Sequence, residues 1–247
     1  KPVLQQFFIY TGNLLRGDFG VSLKTGREVS TTIFESFSIS ARLGGISVLV
    51  ALTFGLILGS IAALTRNKLP DQLIVFFTTL SVGVPSFVLG TVLLLVFSLI
   101  LKWVPVWSIT NQNYILPVIA LSLYPMAHVT RLTKSSMLDV LGQDYIRTAR
   151  AKGVRPSLVI FKHALRNALI PVVTYIGPLT AYSLTGSMVV ETIFTIGGLG
   201  TKFVTSINNR DYPVIMGTTI FLAVLMVIMT LISDLMYSAV DPRISFD

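Results

Sequence analysis

Long stretches without charged residues constrain this chain more than any other feature. No Asp, Glu, Lys or Arg occurs in residues 43–65, 72–101, 103–130, 167–190 or 212–233. A bilayer span needs roughly 20 apolar residues, whereas helices of soluble proteins usually carry charge along one face. Charged residues make up only 12% of the chain, about half the share of a typical soluble domain. We therefore expect an all-α integral membrane protein, a polytopic helical bundle with five spans at about 41–64, 72–101, 115–138, 165–190 and 213–238.

Two of the predicted spans contain helix-breaking residues. Val82-Gly83-Val84-Pro85-Ser86 lies within 72–101, and Gly177-Pro178 lies within 165–190. Membrane helices tolerate such residues because neighbouring helices and hydroxyl groups satisfy the freed backbone groups. Since 72–101 is long for one crossing, we expect it to tilt or to kink at Pro85.

The distribution of Lys and Arg predicts the orientation. Residues 131–166 contain eight of these cations and two Asp, a net charge of +6 out of +8 for the whole chain. Because cytoplasmic loops carry the excess of Lys and Arg, we place this loop in the cytoplasm. Arg66, Lys68 and the tail 239–247 then also lie in the cytoplasm. Residues 1–40, 102–114 and 191–212 lie outside, although the four cations in 1–40 conflict mildly with that placement.

An external N-terminal segment without a signal peptide needs an explanation. The chain begins at Lys1, and no basic segment followed by an apolar segment opens it. Five spans are also an unexpected count for a membrane protein of this design. The simplest explanation is a first span that precedes Lys1.

The pattern of the cytoplasmic loop, residues 139–164, predicts two helices joined by a turn. Gln143-Asp144 can cap a short helix that starts near Tyr145. Gly153 can end that helix in the left-handed conformation, and Pro156 suits the first turn of the next helix. Ala149 and Ala151 would let a partner approach closely.

The residues alone leave three interpretations of this loop open. It could be a solvated loop that only sets topology, or a helix that binds calmodulin-like proteins or anionic lipid. Docking against a partner protein is favoured for two reasons. The segment is long for a simple connection, and it mixes small, aromatic and apolar residues with its cations, as buried contacts do.

Specific strings in the sequence resemble a known family. YIRTARAKG at 145–153 is followed by HALRNALIP at 163–171, and together they resemble the cytoplasmic EAA loop of ABC-transporter permeases of the dipeptide/oligopeptide/nickel family. Ala149 and Gly153 fall on the Ala and Gly that the family shares, while Arg147-Thr148 replaces the general Glu-Ala pair. Further matches are GNLLRGDFGVSL at 12–23, VPSF at 84–87, INNRDYPVIMG at 207–217 and DPRI at 241–244. The resemblance covers nearly the whole chain and favours the B-type subunit.

The resemblance implies a mechanism. Permeases of type I ABC importers pair around a pseudo-twofold pore, and each inserts its EAA loop as a coupling helix into a cytoplasmic ATPase. The implied partners are a C-type permease, two ATPases and an extracytoplasmic binding protein. ATP and Mg would be bound by the ATPases, so this chain would be no enzyme and would hold no cofactor or metal. To the contact with the ATPase we assign Tyr145, Arg147, Thr148, Ala149, Arg150, Lys152, Gly153, Pro156 and His163.

Other chemistry is not indicated by the sequence. The P-loop pattern is absent, the two histidines His128 and His163 lack metal-ligand spacing, and no catalytic triad or pair of carboxylates stands out. We interpret the glycine-rich residues 195–200 as a flexible external turn. The basic charge is explained by membrane topology, so we expect no nucleic-acid partner.

Two groups of residues are candidates for contact with substrate or partners. Hydroxyl groups are concentrated in the predicted span 165–190, where they could hydrogen-bond neighbouring helices or line a polar route. His128 could pack or face the pore. The candidate pore-lining residues are His128, Thr174, Tyr175, Tyr182 and Ser183. In the outer segment we expect Asn208, Arg210 and Asp211 to contact the binding protein or the partner permease.

We therefore expect a multi-pass permease subunit in a prokaryotic cell membrane that imports di- or oligopeptides. Nickel, glutathione or another small solute remains an alternative substrate within the same architecture. A stand-alone secondary transporter is a rival interpretation, but it would usually show internal repeats and functional intramembrane charges. A membrane enzyme would need a catalytic constellation that the sequence does not show.

Overall fold

The computed structural model describes residues 2–185 and 187–240, without the side chains at 181, 182, 184, 185, 233 and 236–240. Within them the chain is helical apart from loops and one isolated bridge between Val21 and Glu28. The helices are α1 (Val3–Leu14), α2 (Val29–Leu64), α3 (Leu69–Gly83), α4 (Ser86–Leu93), α5 (Ile115–Leu141), α6 (Asp144–Ala151), α7 (Pro156–Leu158), α8 (Arg166–Ala168), α9 (Ile170–Thr185), α10 (Met188–Ile193), α11 (Leu199–Asn208) and α12 (Tyr212–Val240). Two π-helical segments, Leu94–Ile100 and Val159–Leu165, continue α4 and α7. The all-α fold is as predicted.

Three described helices are long and apolar enough to cross a bilayer alone: Val29–Leu64, Ile115–Leu141 and Tyr212–Ile232. The helices Leu69–Gly83 and Ser86–Ile100 are apolar enough together to form a fourth crossing, as a broken span or a re-entrant pair, and they meet at an angle of 103°. The bend occurs at Val84, which is extended with φ −96° and ψ 124°. Pro85 accounts for it, since proline disfavours helical geometry in the residue before it and lacks an N–H. The predicted break at Pro85 is confirmed.

The structure corrects two helix boundaries. The first long helix begins at Val29 and not at 41, so the segment 1–40 contains α1 and the start of α2. Val29 and Ile33 are fully buried against Leu199 and Val214, and these contacts between distant parts of the chain extend the helix. The predicted helix 165–190 is not one helix, because it includes the end of the second π-helical segment, α8, α9 and the start of α10.

Small residues let α2 and α5 pack closely. A Cβ on Gly55 would lie 2.7 Å from the Cβ of Val129, and one on Gly59 would lie 2.6 Å from the carbonyl oxygen of Thr130. Gly55 and Gly59 are four residues apart and so share one face of α2. This is the small-xxx-small arrangement by which membrane helices approach each other. The α2–α5 pair forms the centre of the bundle.

Helix α2 also separates the two ends of the molecule. Ser40 contacts Glu191 at one end, and Ala63 packs against Ile146 and its neighbours at the other. At 1.5 Å per residue these positions are about 35 Å apart, slightly more than the ~30 Å hydrocarbon core of a bilayer. The loop that contains α6 and the segment 191–211 therefore lie at opposite ends, as predicted.

Candidate functional site

The site begins with α6, a two-turn helix whose apolar side packs into a buried cluster. Ile146 is fully buried in a cluster with Ala63 of α2, Met137 of α5 and Ala168 of α8. Val159 and Ala164 of the π-helical segment complete the buried cluster. Ile146 therefore packs α6 into an apolar cluster that also contains residues of α2, α5 and α8.

The end of α6 has the predicted geometry. Gly153 has φ +72°, a conformation that glycine adopts without the strain of a Cβ. The N–H of Gly153 donates to the carbonyl of Arg150 at 3.0 Å, and the N–H of Val154 donates to the carbonyl of Ala149 at 3.2 Å. This pair of bonds is the Schellman motif. Pro156 follows as the first residue of α7, so the chain turns back toward the membrane where the sequence indicates.

The start of α6 differs slightly from the prediction. The helix begins at Asp144 with Gln143 as its N-cap residue, but no side chain caps it. The hydroxyl of Thr148 donates to the carbonyl of Asp144 at 3.0 Å. Arg147 and Asp144 form an exposed ion pair at 3.4 Å, a type of contact that contributes only ~0–1 kcal/mol.

A hydrogen bond between side chains links α6 to the following helices. Asn167 donates through Nδ2 to the hydroxyl of Tyr145 at 2.9 Å and to the carbonyl of His163 at 3.1 Å. His163 is half-buried within the π-helical segment. Tyr145 thus links α6 to the chain leading into the next span, whereas the bond from Asn167 to the carbonyl of His163 lies within that following segment.

The outward surface of the loop is basic. Arg147, Arg150, Lys152 and Arg155 are all exposed. Ala149 is half-buried and packs on the cluster around Ile146, whereas Ala151 is exposed. The expectation that Ala149 offers its surface to a partner is therefore wrong in part, because its own chain occupies that surface. A partner would meet the cations, Thr148 and Ala151.

A partly buried ion pair supports the same end of the bundle. Lys134 of α5 donates through Nζ to Asp71 Oδ1 of α3 at 2.5 Å, and the N–H of Asn67 donates to Asp71 Oδ2 at 3.0 Å. Asp71 and Ile146 were not predicted as site residues. In the sequence, Asp71 is an isolated Asp at the start of an apolar run, and Ile146 is an isolated Ile among cations. These two features could have identified them.

The pore-lining candidates are only partly brought together. The rings of His128 on α5 and Tyr175 on α9 meet edge to face, with centroids 4.6 Å apart. Thr174 donates its hydroxyl to the carbonyl of Ile170 in its own helix at 2.8 Å. Ser183 is fully buried by its own chain and does not face an open path. The side chain of Tyr182 lies outside the described residues.

The end of the bundle opposite α6, which is predicted to be the outer end, is organised around a buried carboxylate that the sequence analysis missed. Glu191 is fully buried. Its oxygens accept hydrogen bonds from the hydroxyls of Ser40 (2.7 Å) and Ser187, and from the N–H groups of Gly200 (2.8 Å) and Thr201 (3.2 Å). The two N–H groups belong to the first turn of α11, where a negative charge is stabilised by the helix dipole.

The glycine-rich residues 195–200 include the predicted turn between α10 and α11, but the segment is closely packed and not the open, flexible turn that we expected. Gly198 and Gly200 are buried. A Cβ on Gly198 would lie 2.5 Å from Glu191 Oε2, and one on Gly200 would lie 2.5 Å from the Cα of Met188. These glycines let the segment close over Glu191.

A second carboxylate at this end also forms its hydrogen bonds within its own chain. Asp211 is buried and accepts hydrogen bonds from the hydroxyl of Ser22 at 2.5 Å and the N–H of Leu23 at 3.1 Å. The expectation that Asp211 contacts a partner is therefore wrong, because it anchors the N-terminal loop to the start of α12. Asn208 and Arg210 are exposed, so they stay candidates for contact.

Comparison with known proteins shows the family. The sequence model of the family described as "binding-protein-dependent transport system inner membrane component" matches residues 55–246. The chain belongs to this family. The resemblance read from the sequence is confirmed, as is its consequence that the chain is a multi-pass protein of the cell membrane.

Three relatives are similar in sequence to this chain over nearly its whole length. A dipeptide transport system permease protein of Bacillus subtilis (strain 168) is 46% identical over 98% of this chain and 80% of the relative. Its counterpart in Lactococcus lactis is 44% identical over 99% of this chain and 81% of the relative. A glutathione transport system permease protein of Escherichia coli (strain K12) is 40% identical over 100% of this chain and 81% of the relative.

Two solved structures share the fold. An amino acid ABC transporter solved with histidines has a TM-score of 0.68 and 14% identity, covering 85% of this chain and 94% of that one. The MetNI methionine ABC transporter, solved in inward-facing conformations, has a TM-score of 0.68 and 16% identity, covering 85% of this chain and 96% of that one.

Proposed function

We propose that this chain is one of two permease subunits of an ATP-driven importer and forms half of a pore for di- or oligopeptides. The observation that carries the proposal is α6, a short helix whose buried Ile146 holds it in an apolar cluster with residues of α2, α5 and α8, while its basic side stays exposed. The peptide substrate is supported by relatives at 46% and 44% identity whose names are dipeptide permeases.

The proposed role of α6 is to pass movement between an ATPase and the spans. A helix that is anchored to its neighbours transmits a rigid-body displacement without absorbing it. Ile146 supplies the anchor to α2, α5 and α8, and the Schellman motif at Gly153 fixes the turn that leads into α7. Arg147, Arg150 and Lys152 then face the ATPase, which binds ATP and Mg; this chain itself catalyses no reaction.

At the outer end, the exposed Asn208 and Arg210 are proposed to contact a binding protein or the second permease. The pair of His128 and Tyr175, with Thr174 beside it, is proposed to line the route of the peptide. Histidine, phenol and hydroxyl groups can exchange hydrogen bonds with a peptide backbone without placing a fixed charge in the membrane.

Glutathione is the second candidate substrate. The observation that favours it is the glutathione permease that is 40% identical over the full length of this chain. Glutathione is itself a small peptide, so both substrates suit the same polar route.

Reconstitution tests the proposal. The chain, a second permease and two ATPases are placed in liposomes with a binding protein, and uptake of a labelled dipeptide is followed with and without ATP. We expect uptake only with ATP, and competition by unlabelled dipeptides. Stronger competition by glutathione would transfer the assignment to that substrate. Uptake by this chain without any ATPase would contradict the proposal and favour a secondary transporter.

A further inference from the structure

The break between α3 and α4 interrupts the backbone hydrogen bonding of a membrane helix. The last four carbonyls of an α-helix have no N–H partner within that helix. At the end of α3 one of these carbonyls, that of Leu80, accepts the N–H of Val84 at 3.1 Å. The other three belong to residues 81–83, and Pro85 has no N–H to offer the carbonyl of Ser81. The end of α3 therefore presents main-chain acceptors that α3 itself does not use.

These acceptors lie at a depth where lipid tails cannot donate hydrogen bonds to them. Helix α3 contains 15 residues, so it is about 22 Å long at 1.5 Å per residue, which is less than the ~30 Å hydrocarbon core of a bilayer. Non-helical backbone at membrane depth is tolerated only where it is buried in protein or lines a water-filled cavity. Ser81, Val82 and Val84 are only half-buried, which favours the second of these surroundings.

A cavity of about 190 Å³ lies at the break, and we term it the break pocket. Its walls include Ser81, Val82 and Ser86 at the break, and Ala120 and Tyr124 of α5. The two serine hydroxyls and the phenol add hydrogen-bonding side chains to the main-chain carbonyls. None of the described residues that line the pocket is charged. The break pocket is therefore polar and neutral.

The break pocket lies beside the residues already proposed to line the route of the peptide. Tyr124 and His128 are four residues apart on α5 and so share one face of that helix. The ring of His128 meets the ring of Tyr175 on α9, with centroids 4.6 Å apart. Along α5, one helical turn of about 5.4 Å separates the wall of the pocket from this pair.

We propose that the break pocket binds the main chain of the transported peptide, with the carbonyls at the end of α3 accepting hydrogen bonds from its amide N–H groups or its amino terminus. The inference rests on the proposed function, because it names the part of the substrate that this section of the route recognises. Every peptide carries main-chain donors whatever its side chains are. A site made of main-chain acceptors therefore accepts peptides of different sequence.

Cysteine labelling in the complete transporter tests whether the pocket is aqueous and contacts the peptide. The chain has no cysteine, so Ser86→Cys introduces its only thiol. Phe76→Cys is the control, since Phe76 is exposed and lies about 140° around α3 from Ser81. We expect a small water-soluble methanethiosulfonate to modify position 86 and to leave position 76 unmodified. Saturating dipeptide, supplied with the binding protein and ATP, should slow the reaction at position 86.

A change in the substrate tests the hydrogen bond itself. Uptake of a dipeptide is compared with uptake of an analogue methylated on its peptide nitrogen, both at concentrations that saturate the binding protein. We expect methylation to lower maximal uptake about three- to tenfold, the effect of one lost hydrogen bond. Pro85→Ala supplies an N–H to the carbonyl of Ser81, so methylation should have a smaller effect in this variant. Pro70→Ala is the matched control, because Pro70 lies in the first turn of α3, where an N–H has no helical acceptor.

Three results would overturn the inference. They are equal reaction at positions 86 and 76, a reaction at position 86 that the dipeptide does not slow, and an equal effect of methylation in the unmodified chain and in Pro85→Ala. If Pro85→Ala is not recovered in membranes, the labelling results decide alone. None of these results changes ATP-driven uptake by the unmodified chain, whereas absence of that uptake would contradict the proposed function itself.

Discussion

At the scale of single residues, Gly153 shows how one backbone conformation sets the coupling loop. Its φ is +72°, and an added Cβ would meet no atom within 4 Å, so a side chain there is strained but not obstructed. Gly153→Ala is expected to destabilise the end of α6 by about 1–2 kcal/mol, and Gly153→Asn by less because Asn tolerates this conformation better. Copurification of the ATPases and peptide uptake, at matched membrane levels, should fall in the same order.

Gly142 provides the control for this prediction. It lies in the same loop with φ −80°, and a Cβ there would make only ordinary contacts at 3.5 and 3.7 Å. Gly142→Ala should therefore leave copurification and uptake unchanged. Equal effects at both positions would show that the loop tolerates no side chain for reasons other than backbone strain.

Gly200 differs from Gly153 at the residue scale, because neighbouring atoms already occupy the space that a side chain would need. A Cβ on Gly200 would lie 2.5 Å from the Cα of Met188 and 3.0 Å from Glu191 Oε2. Gly200→Ala must displace backbone and is expected to destabilise the protein by about 1–3 kcal/mol. Thermal unfolding in detergent, followed by size-exclusion chromatography, measures the change. Gly45→Ala is the matched control, since nothing lies within 4 Å of a Cβ at Gly45, and an equal loss from both variants would contradict the prediction.

At the scale of elements, α6 has one face toward the buried cluster and one toward solvent, and an alanine lies on each. Ala149 packs on the cluster around Ile146, whereas Ala151 is exposed. Ala149→Glu is expected to loosen α6, because it places a charge against an apolar cluster. Ala151→Glu should keep α6 in place and act only where the ATPase docks.

Limited proteolysis distinguishes the two variants. Trypsin should cut the loop at Arg147 or Arg150 faster in Ala149→Glu than in the unmodified chain, while Ala151→Glu keeps the original rate. Loss of ATPase copurification in Ala151→Glu at an unchanged cleavage rate would support α6 as the docking surface. If Ala151→Glu retains the ATPases and full uptake, the loop would act only as a determinant of topology.

At the scale of the whole molecule, features set by adjacent residues could be predicted from the sequence. Features set by contacts between distant residues could not. The end of α6 followed from Gly153 and Pro156, whose effects are confined to adjacent residues. The start of α2 at Val29 and the closed segment over Glu191 depend on contacts more than 150 residues away in the chain, such as Ser40 with Glu191. The sequence pattern within residues 29–40 or 195–200 does not identify those distant contact residues. The outer carboxylates were therefore assigned to external partners or missed, although Asp211 and Glu191 both serve their own chain.

Orientation in the membrane is the remaining whole-molecule prediction, and a chain without cysteine allows a direct test. The exposed Asn208 lies at the end of α11, at the Glu191 end of α2, and the exposed Lys152 lies in the loop at the Ala63 end. The net charge of +6 in residues 131–166 predicts that Lys152 is cytoplasmic. An impermeant maleimide added to intact cells should label Asn208→Cys and leave Lys152→Cys unlabelled until the membrane is permeabilised. Labelling of Lys152→Cys alone in intact cells would reverse the orientation, and it would place α6 where no cytoplasmic ATPase could reach it.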